Sequence, residues 1–338
     1  MLTNIQALRA IAALMVLLYH AITHLVSMDD RYSFLLNFSK YGYIGVDIFF
    51  VISGYVISLT TTSKPRNLHS AIEFTKKRSA RIYLGYWPFL LVMFLILINF
   101  DPSSERKYHL LTSLFLYTNR MNYLLPSAWS LTYELYFYLI LLPVFFVPQK
   151  YLRPLMLSLF LIILYINVFG HFRFNGTRWF LTNPYLLEFF SGAIFYHYQS
   201  QLARKKYLWG IIPAAIAGFA IGAFHDYEQD IEKVLTFGVF SFGLFWIFMI
   251  LEKEKLFLFG KIGRTLGDAS YTIYLAHLPF LSLFYSLGIR DWLHLQHPLL
   301  ILGVFILLIG AILFFSVQFY RFVEAPLYYR ISHRRISD

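Results

Sequence analysis

The sequence predicts an all-α polytopic membrane protein with about ten transmembrane helices and both termini in the cytoplasm. Three observations predict it. Hydrophobic residues make up 58% of the chain and charged residues 14%, where a soluble domain is about a quarter charged. The apolar residues gather into ten stretches, most of them near the roughly 20 residues that cross a hydrocarbon core as helix. Lys and Arg alternate in abundance between successive loops, the pattern that sets orientation.

The spans read as 5–26, 42–62, 80–100, 128–147, 152–170, 181–199, 207–224, 231–251, 268–288 and 298–320. Segment 109–120 is apolar but short and reads as re-entrant or interfacial. Loops 63–81, 148–153, 203–206 and 252–264 and the tail 321–335 hold 19 of the 29 Lys and Arg. The opposite loops hold 8, and Arg9 and Lys233 lie at span edges. The richer side is cytoplasmic by the positive-inside rule. This distribution also explains the net charge of +11, so no nucleic-acid partner is implied. The first span lacks a small-residue cleavage site and reads as an uncleaved signal anchor. The absence of cysteine excludes disulfides, thiolate metal sites and a cysteine nucleophile. No repeat is visible and no loop is long enough for a second domain, so 1–338 reads as a single transmembrane domain.

Ionisable residues inside spans are costly and mark function. The first span carries Arg9 and His20, eleven residues apart. That is nearly three helical turns, so both lie on one face about 16 Å apart. Counting about 1.5 Å per residue from the outer surface, His20 and Asp47 come out near 8 Å deep, Glu134 near 9 Å and Glu188 near 10 Å. One imidazole and three carboxylates thus share a predicted outer layer. A carboxylate beside a histidine fixes its tautomer and raises its basicity, as general-base catalysis requires. Polar contact between helices is the plainer reading of the same residues. His24, one turn beyond His20, would complete a metal set with Asp47, but its place at the lipid–water interface argues against a metal. His277, near mid-depth, packs helices or lines a passage.

Lys76-Lys77-Arg78-Ser79-Ala80-Arg81 precedes the third span. Arg78 and Arg81 are neighbours on one helix face, and Arg9 lies near the same surface. Guanidinium forks bind phosphates bidentately; ordinary topological anchoring accounts for such a cluster as well.

The order of these motifs resembles acyltransferase family 3, the bacterial membrane sugar O-acyltransferases. The resemblance lies in Arg9 to His20 with ten residues between, and in Gly45-Val46-Asp47-Ile48-Phe49-Phe50-Val51-Ile52-Ser53-Gly54. It continues through Arg78-x-x-Arg81, then Trp129-Ser130-Leu131-Thr132-Tyr133-Glu134 with Phe137, Tyr138 and Pro143. It closes on Tyr271-Thr272-Ile273-Tyr274-Leu275-Ala276-His277 and Glu324-Ala325-Pro326-Leu327. One departure follows Arg81: the family often has a proline almost at once, whereas this chain reaches Pro88. Some relatives carry an extracytoplasmic hydrolase-like domain, and none is expected here.

The resemblance implies a bacterial inner-membrane enzyme that moves an acyl group, most often acetyl, from acyl-coenzyme A to a carbohydrate hydroxyl on a surface glycan or its lipid-linked precursor. Arg9, Arg78 and Arg81 would dock the donor's phosphates. His20 would act as general base, oriented by Asp47 or Glu134, or would carry the acyl group itself. Ser130 or Tyr133 would stabilise the oxyanion, and Glu188 and His277 would line the substrate passage. No metal is expected. Aromatic stretches Tyr117 to Trp129 and Phe172 to Trp179 suit either sugar stacking or an interfacial belt. A proton-coupled transporter or flippase of a lipid-linked glycan is the competing class, and a catalytically silent membrane scaffold a third. The Gly/Pro-broken paired halves common in transporters are not evident.

Overall fold

The computed structural model describes residues 2–28, 30–100, 109–117, 123–170, 181–225, 227, 230–294 and 296–333. Phe172 to Trp179, and five of the basic residues counted above in the less basic loops (Arg106, Lys107, Arg120, Arg173, Arg178), lie outside them. Among the described residues the fold is all-helical and no strand forms. The elements that matter here are α1 (Thr3–Met28), α2 (Gly45–Thr61), α3 (Leu68–Phe100), the short α4 (Leu110–Phe115) and α5 (Trp129–Leu141). They are followed by α6 (Leu152–Phe169), α7 (Leu186–Leu202), α8 (Leu208–Phe224) and α9 (Asp230–Lys253). Then come α10 (Gly260–Asp268), α11 (Ser270–Ser286), α12 (Pro298–Phe319) and α13 (Ala325–His333).

Among the described residues eight helical stretches are long and apolar enough to cross a membrane. The sixth and ninth predicted spans are also helical, as α7 and α11, but each has only 17 residues. Glu188 and His277 lie inside these two helices and are buried there. The third span starts earlier than its apolar run suggests. Asn67 caps α3, accepting from the Ser70 N–H at 2.9 Å, and Glu73 bonds Lys77 one turn on at 2.7 Å. These local contacts support helix through a polar sequence, so Arg78 and Arg81 lie within α3.

α1 runs through the centre against α2, α9, α10 and α11. Its amino end is capped by another helix: the Thr3 and Asn4 N–H groups donate to the Glu252 carboxylate at 3.1 and 2.6 Å. A carboxylate there meets unpaired N–H groups and the positive end of the helix dipole. The closest crossing is α2 on α7. A Cβ on Gly54 would stand 1.8 Å from the Phe189 carbonyl oxygen, and one on Gly192 would stand 1.9 Å from that of Val51. Only glycine allows such backbone approach, the usual small-residue device of membrane helices. Phe189 then stacks between Phe50 and Phe137, ring centroids 4.6 and 4.4 Å away.

The predicted re-entrant segment appears as α4. Its terminal carbonyls have no helical partners, and α3 supplies them. The Tyr86 hydroxyl donates to Ser113 O at 2.7 Å, the Tyr83 hydroxyl to Phe115 O at 2.8 Å, and the Trp87 indole to Leu114 O at 3.1 Å. Residues 118–120 of that segment lie outside the described residues.

Candidate active site

α1, α2, α3, α5 and α11 enclose a cavity with an empty volume of about 910 Å³, its mouth included. Arg9, Arg78 and Arg81 line it, as do Glu134, Ser53 and Ser130. Tyr138, Tyr271 and Tyr274 add three phenol rings. On α2 its wall extends from Val46 to Val56, ten residues and so about 15 Å along the axis. The three arginines expected to act together thus share one cavity, and it reaches toward the other end of the bundle.

Each guanidinium is held. Arg81 pairs with the buried Glu324, which also accepts from the Thr272 hydroxyl at 2.5 Å. Tyr271 and Tyr328 flank Arg81 at 5.0 and 6.0 Å. Arg78 donates to the Thr60 hydroxyl at 2.7 Å and lies 5.8 Å from the rings of Phe74 and Tyr138. Arg9 donates to Gln6 Oε1 at 3.2 Å, and Gln6 in turn bonds Asp268. Glu134 accepts from the hydroxyls of Tyr138 and, at 3.3 Å, Ser53. Glu324 lies in a π-helical turn, Tyr320–Glu324, between α12 and α13. Nothing in the sequence pairs Glu324 with Arg81, although the Glu-Ala-Pro-Leu motif contains it. A lone glutamate beside an apolar span is the signal that points to a buried partner.

The depth arithmetic predicts one polar layer, and the structure divides it into three environments. His20 has no carboxylate partner among the described residues. Its Nδ1 lies 3.0 Å from the Val16 carbonyl oxygen. A carbonyl only accepts, so Nδ1 carries the proton in the neutral ring and Nε2 keeps its lone pair. The orientation expected from Asp47 or Glu134 therefore comes from the backbone of α1. The His20 ring meets His277 at 4.9 Å between centroids. His277 is fully buried, its ring against the backbone of Ile273 and Tyr274. Tyr274 lies 5.9 Å beyond, and its hydroxyl bonds Ser130 Oγ at 2.8 Å on the cavity wall. His20, His277, Tyr274 and Ser130 thus form one line from α1 to the cavity.

Asp47 and Glu188 form the second environment. Both are buried, and Lys233 Nζ lies 3.4 Å from Asp47 Oδ1. The same ammonium sits 5.0 Å from the rings of Tyr43 and Tyr185. Lys233 directly precedes a π-helical turn, Val234–Gly238, inside α9. A Cβ on Gly238 would meet Glu188 Oε1 at 2.8 Å. Glu134, in the cavity, is the third environment. Height along a helix does not determine azimuth. Asp47 and Ser53 are six residues apart, about 240° around α2, so one faces α7 and α9 while the other faces the cavity. Tyr133 also turns from the cavity into an aromatic cluster with Phe50, Trp129 and Tyr185, and its hydroxyl accepts from Asn183 at 3.2 Å. Among the described residues no group of three or more His, Asp or Glu is placed to hold a metal ion.

Three arginines on one internal cavity of a membrane-type helical bundle are chemistry suited to an anion such as a phosphate, and His20 lies outside that cavity, joined to its wall through His277, Tyr274 and Ser130. The family comparison makes this specific: residues 2–317 match the acyltransferase domain family, and the chain belongs to it. It is 26% identical to the exopolysaccharide production protein ExoZ of Rhizobium meliloti, over 88% of this chain and 92% of that protein. It is 27% identical to the O-acetyltransferase OatA of Staphylococcus aureus, and 26% identical to the peptidoglycan O-acetyltransferase OatA of Listeria monocytogenes. Both alignments cover 96% of this chain but only 57% and 55% of the relatives. No solved structure matches.

Proposed function

We propose that the chain is an inner-membrane O-acyltransferase. It takes an acyl group, acetyl in the first instance, from cytoplasmic acyl-coenzyme A and places it on a hydroxyl of an extracytoplasmic or lipid-linked carbohydrate. The observation that carries this reading is the single cavity that holds Arg9, Arg78 and Arg81 and extends to Ser130 and Tyr274. Membership of the acyltransferase family and the O-acetyltransferase names of the OatA relatives support the same reaction, and the exopolysaccharide and peptidoglycan in the names of ExoZ and the Listeria relative support a polysaccharide acceptor.

In this reading the donor's phosphates meet the three guanidiniums from the basic, cytoplasmic end of the bundle. Arg81 shares its charge with Glu324, so the pair positions phosphate without presenting a bare cation, and Arg78 supplies more of the attraction. The pantetheine arm follows α2 past Ser53 and Glu134. His20 Nε2 removes the proton of the acceptor hydroxyl as its oxygen bonds to the thioester carbonyl carbon. The C–S bond then breaks and the thiolate of coenzyme A takes up a proton from the imidazolium. His277 packs against the His20 ring and links it to Tyr274 on the cavity wall. Ser130, already bonded to Tyr274, is a candidate oxyanion donor; Tyr133, turned away, is not. Asp47 and Glu188 act at a distance, by holding α2, α7 and α9 together around Lys233.

Deleting the gene tests the function. A surface glycan should lose one O-acyl group, seen as a missing acetyl signal by NMR. Unchanged surface glycans with loss of acylation from a soluble cytoplasmic molecule would overturn the acceptor assignment.

A further inference from the structure

A second pocket opens at the same basic end of the bundle, between α6, α7 and the end of α2. It has an empty volume of about 890 Å³ and shares no lining residue with the arginine cavity. Lys150, Arg153, His197, Gln199, Thr62 and Ser200 bring polar groups to its walls beside the Tyr196 ring, and no carboxylate lines it. Arg66 approaches from the side, donating to Thr62 O at 2.9 Å. The nearby Glu73 is occupied by Lys64 and Lys77 at 3.1 and 2.7 Å. Lys150 and Arg153 have no carboxylate partner among the described residues. Arg153 stacks on Tyr198 at 5.5 Å, which holds its planar fork in place. Tyr55 donates to Gln199 Oε1 at 2.9 Å, so the Gln199 amide N–H groups remain to donate elsewhere.

Directly beyond this pocket α6 presents a bare apolar stripe. Leu157, Leu161 and Tyr165 are 43%, 52% and 65% exposed, and they follow Arg153 at four-residue intervals as one ridge inclined to the helix axis. From Arg153 to Tyr165 the stripe is about 18 Å long, close to half the roughly 30 Å hydrocarbon core. A cationic pocket with donors and no acceptor carboxylate, continuous with an apolar stripe one leaflet long, matches an anion that carries acyl chains. We propose that this pocket binds the phosphate of an anionic phospholipid whose chains lie along α6. Basic pockets between membrane helices recognise anionic headgroups through this combination of charge and depth.

The test uses the whole protein purified in a neutral detergent. The probes are dioleoylphosphatidylglycerol, dioleoylphosphatidylcholine, inorganic phosphate and coenzyme A, read by native mass spectrometry and thermal melting. Wild type should retain the anionic lipid over the zwitterionic one and melt higher with it. Lys150→Gln with Arg153→Gln should weaken that retention about thirtyfold, two cations at the strength each has for an anionic leaflet. Coenzyme A affinity should not change. Arg153→Lys, which keeps charge and fold but loses the bidentate fork, should fall between. Equal retention of both lipids, or equal retention by wild type and the double variant, would overturn the site. Protection by inorganic phosphate or coenzyme A matching that of the lipid, and abolished in the double variant, would assign the pocket to a soluble phosphate and overturn the lipid.

Discussion

Lys233→Met tests the buried charge cluster most sharply. Lys233 is 16% exposed, and Asp47 and Glu188 are 0% and 2% exposed. Lys233 and the Glu188 carboxyl are the groups that face Asp47 in this buried cluster. At the 3.4 Å separation of Lys233 and Asp47, an effective dielectric of about 20 gives a gross attraction of roughly 5 kcal/mol. Methionine keeps the apolar stem and removes only the charge. Both carboxylates are then left buried without a cation, which typically costs about 3–5 kcal/mol. Thermal or denaturant unfolding in detergent should show that loss. Asp47→Asn in the same background should recover part of it, with a coupling above about 1 kcal/mol in the double-mutant cycle. A loss below about 1 kcal/mol for Lys233→Met, with additive double variants, would refute the electrostatic lock between α2, α7 and α9.

Three further expectations rest on other parts of the structure. Gly54→Ala places a methyl group against the Phe189 carbonyl, so α2 and α7 must part; the melt should report a loss of at least about 1–3 kcal/mol, and a neutral variant would show a slacker crossing. Arg78→Ala should weaken coenzyme A binding by roughly 1.5–3 kcal/mol for each charge-assisted hydrogen bond to phosphate that it removes, with Arg78→Lys restoring only part; unchanged affinity by calorimetry would reduce Arg78 to a topology anchor. In this cysteine-free chain, Ser63→Cys should react with an impermeant maleimide only from the cytoplasm and His225→Cys only from outside. The reverse pattern would invert the bundle.

Much of the fold is legible in the sequence because a membrane demands long apolar helices. The three arginines are legible too, since Arg78 and Arg81 share a face and Arg9 shares their end of the bundle. What stays hidden is azimuth. Asp47, Glu134 and His20 do lie at similar counted depths, yet each faces a different neighbour. The partner of His20 is hidden for a second reason: a backbone carbonyl, Val16 O, has no signature in side-chain patterns. Lys233 reads as an interfacial cation, because the π-helical turn that follows it in α9 is not readable from hydropathy. Glu324 is visible as part of a motif, but its pairing spans 243 residues of sequence separation to Arg81.

In the proposed reaction the acyl group enters through the arginine cavity and His20 activates the acceptor. Inside-out membrane vesicles carrying the chain and their own glycan precursors, supplied with acetyl-labelled coenzyme A, test it directly. Wild type should move label into glycan. His20→Ala should bind the donor normally yet transfer at least about a hundredfold more slowly, the lower end of what a general base contributes. Equal labelling by His20→Ala, or no donor binding by wild type, would contradict the account.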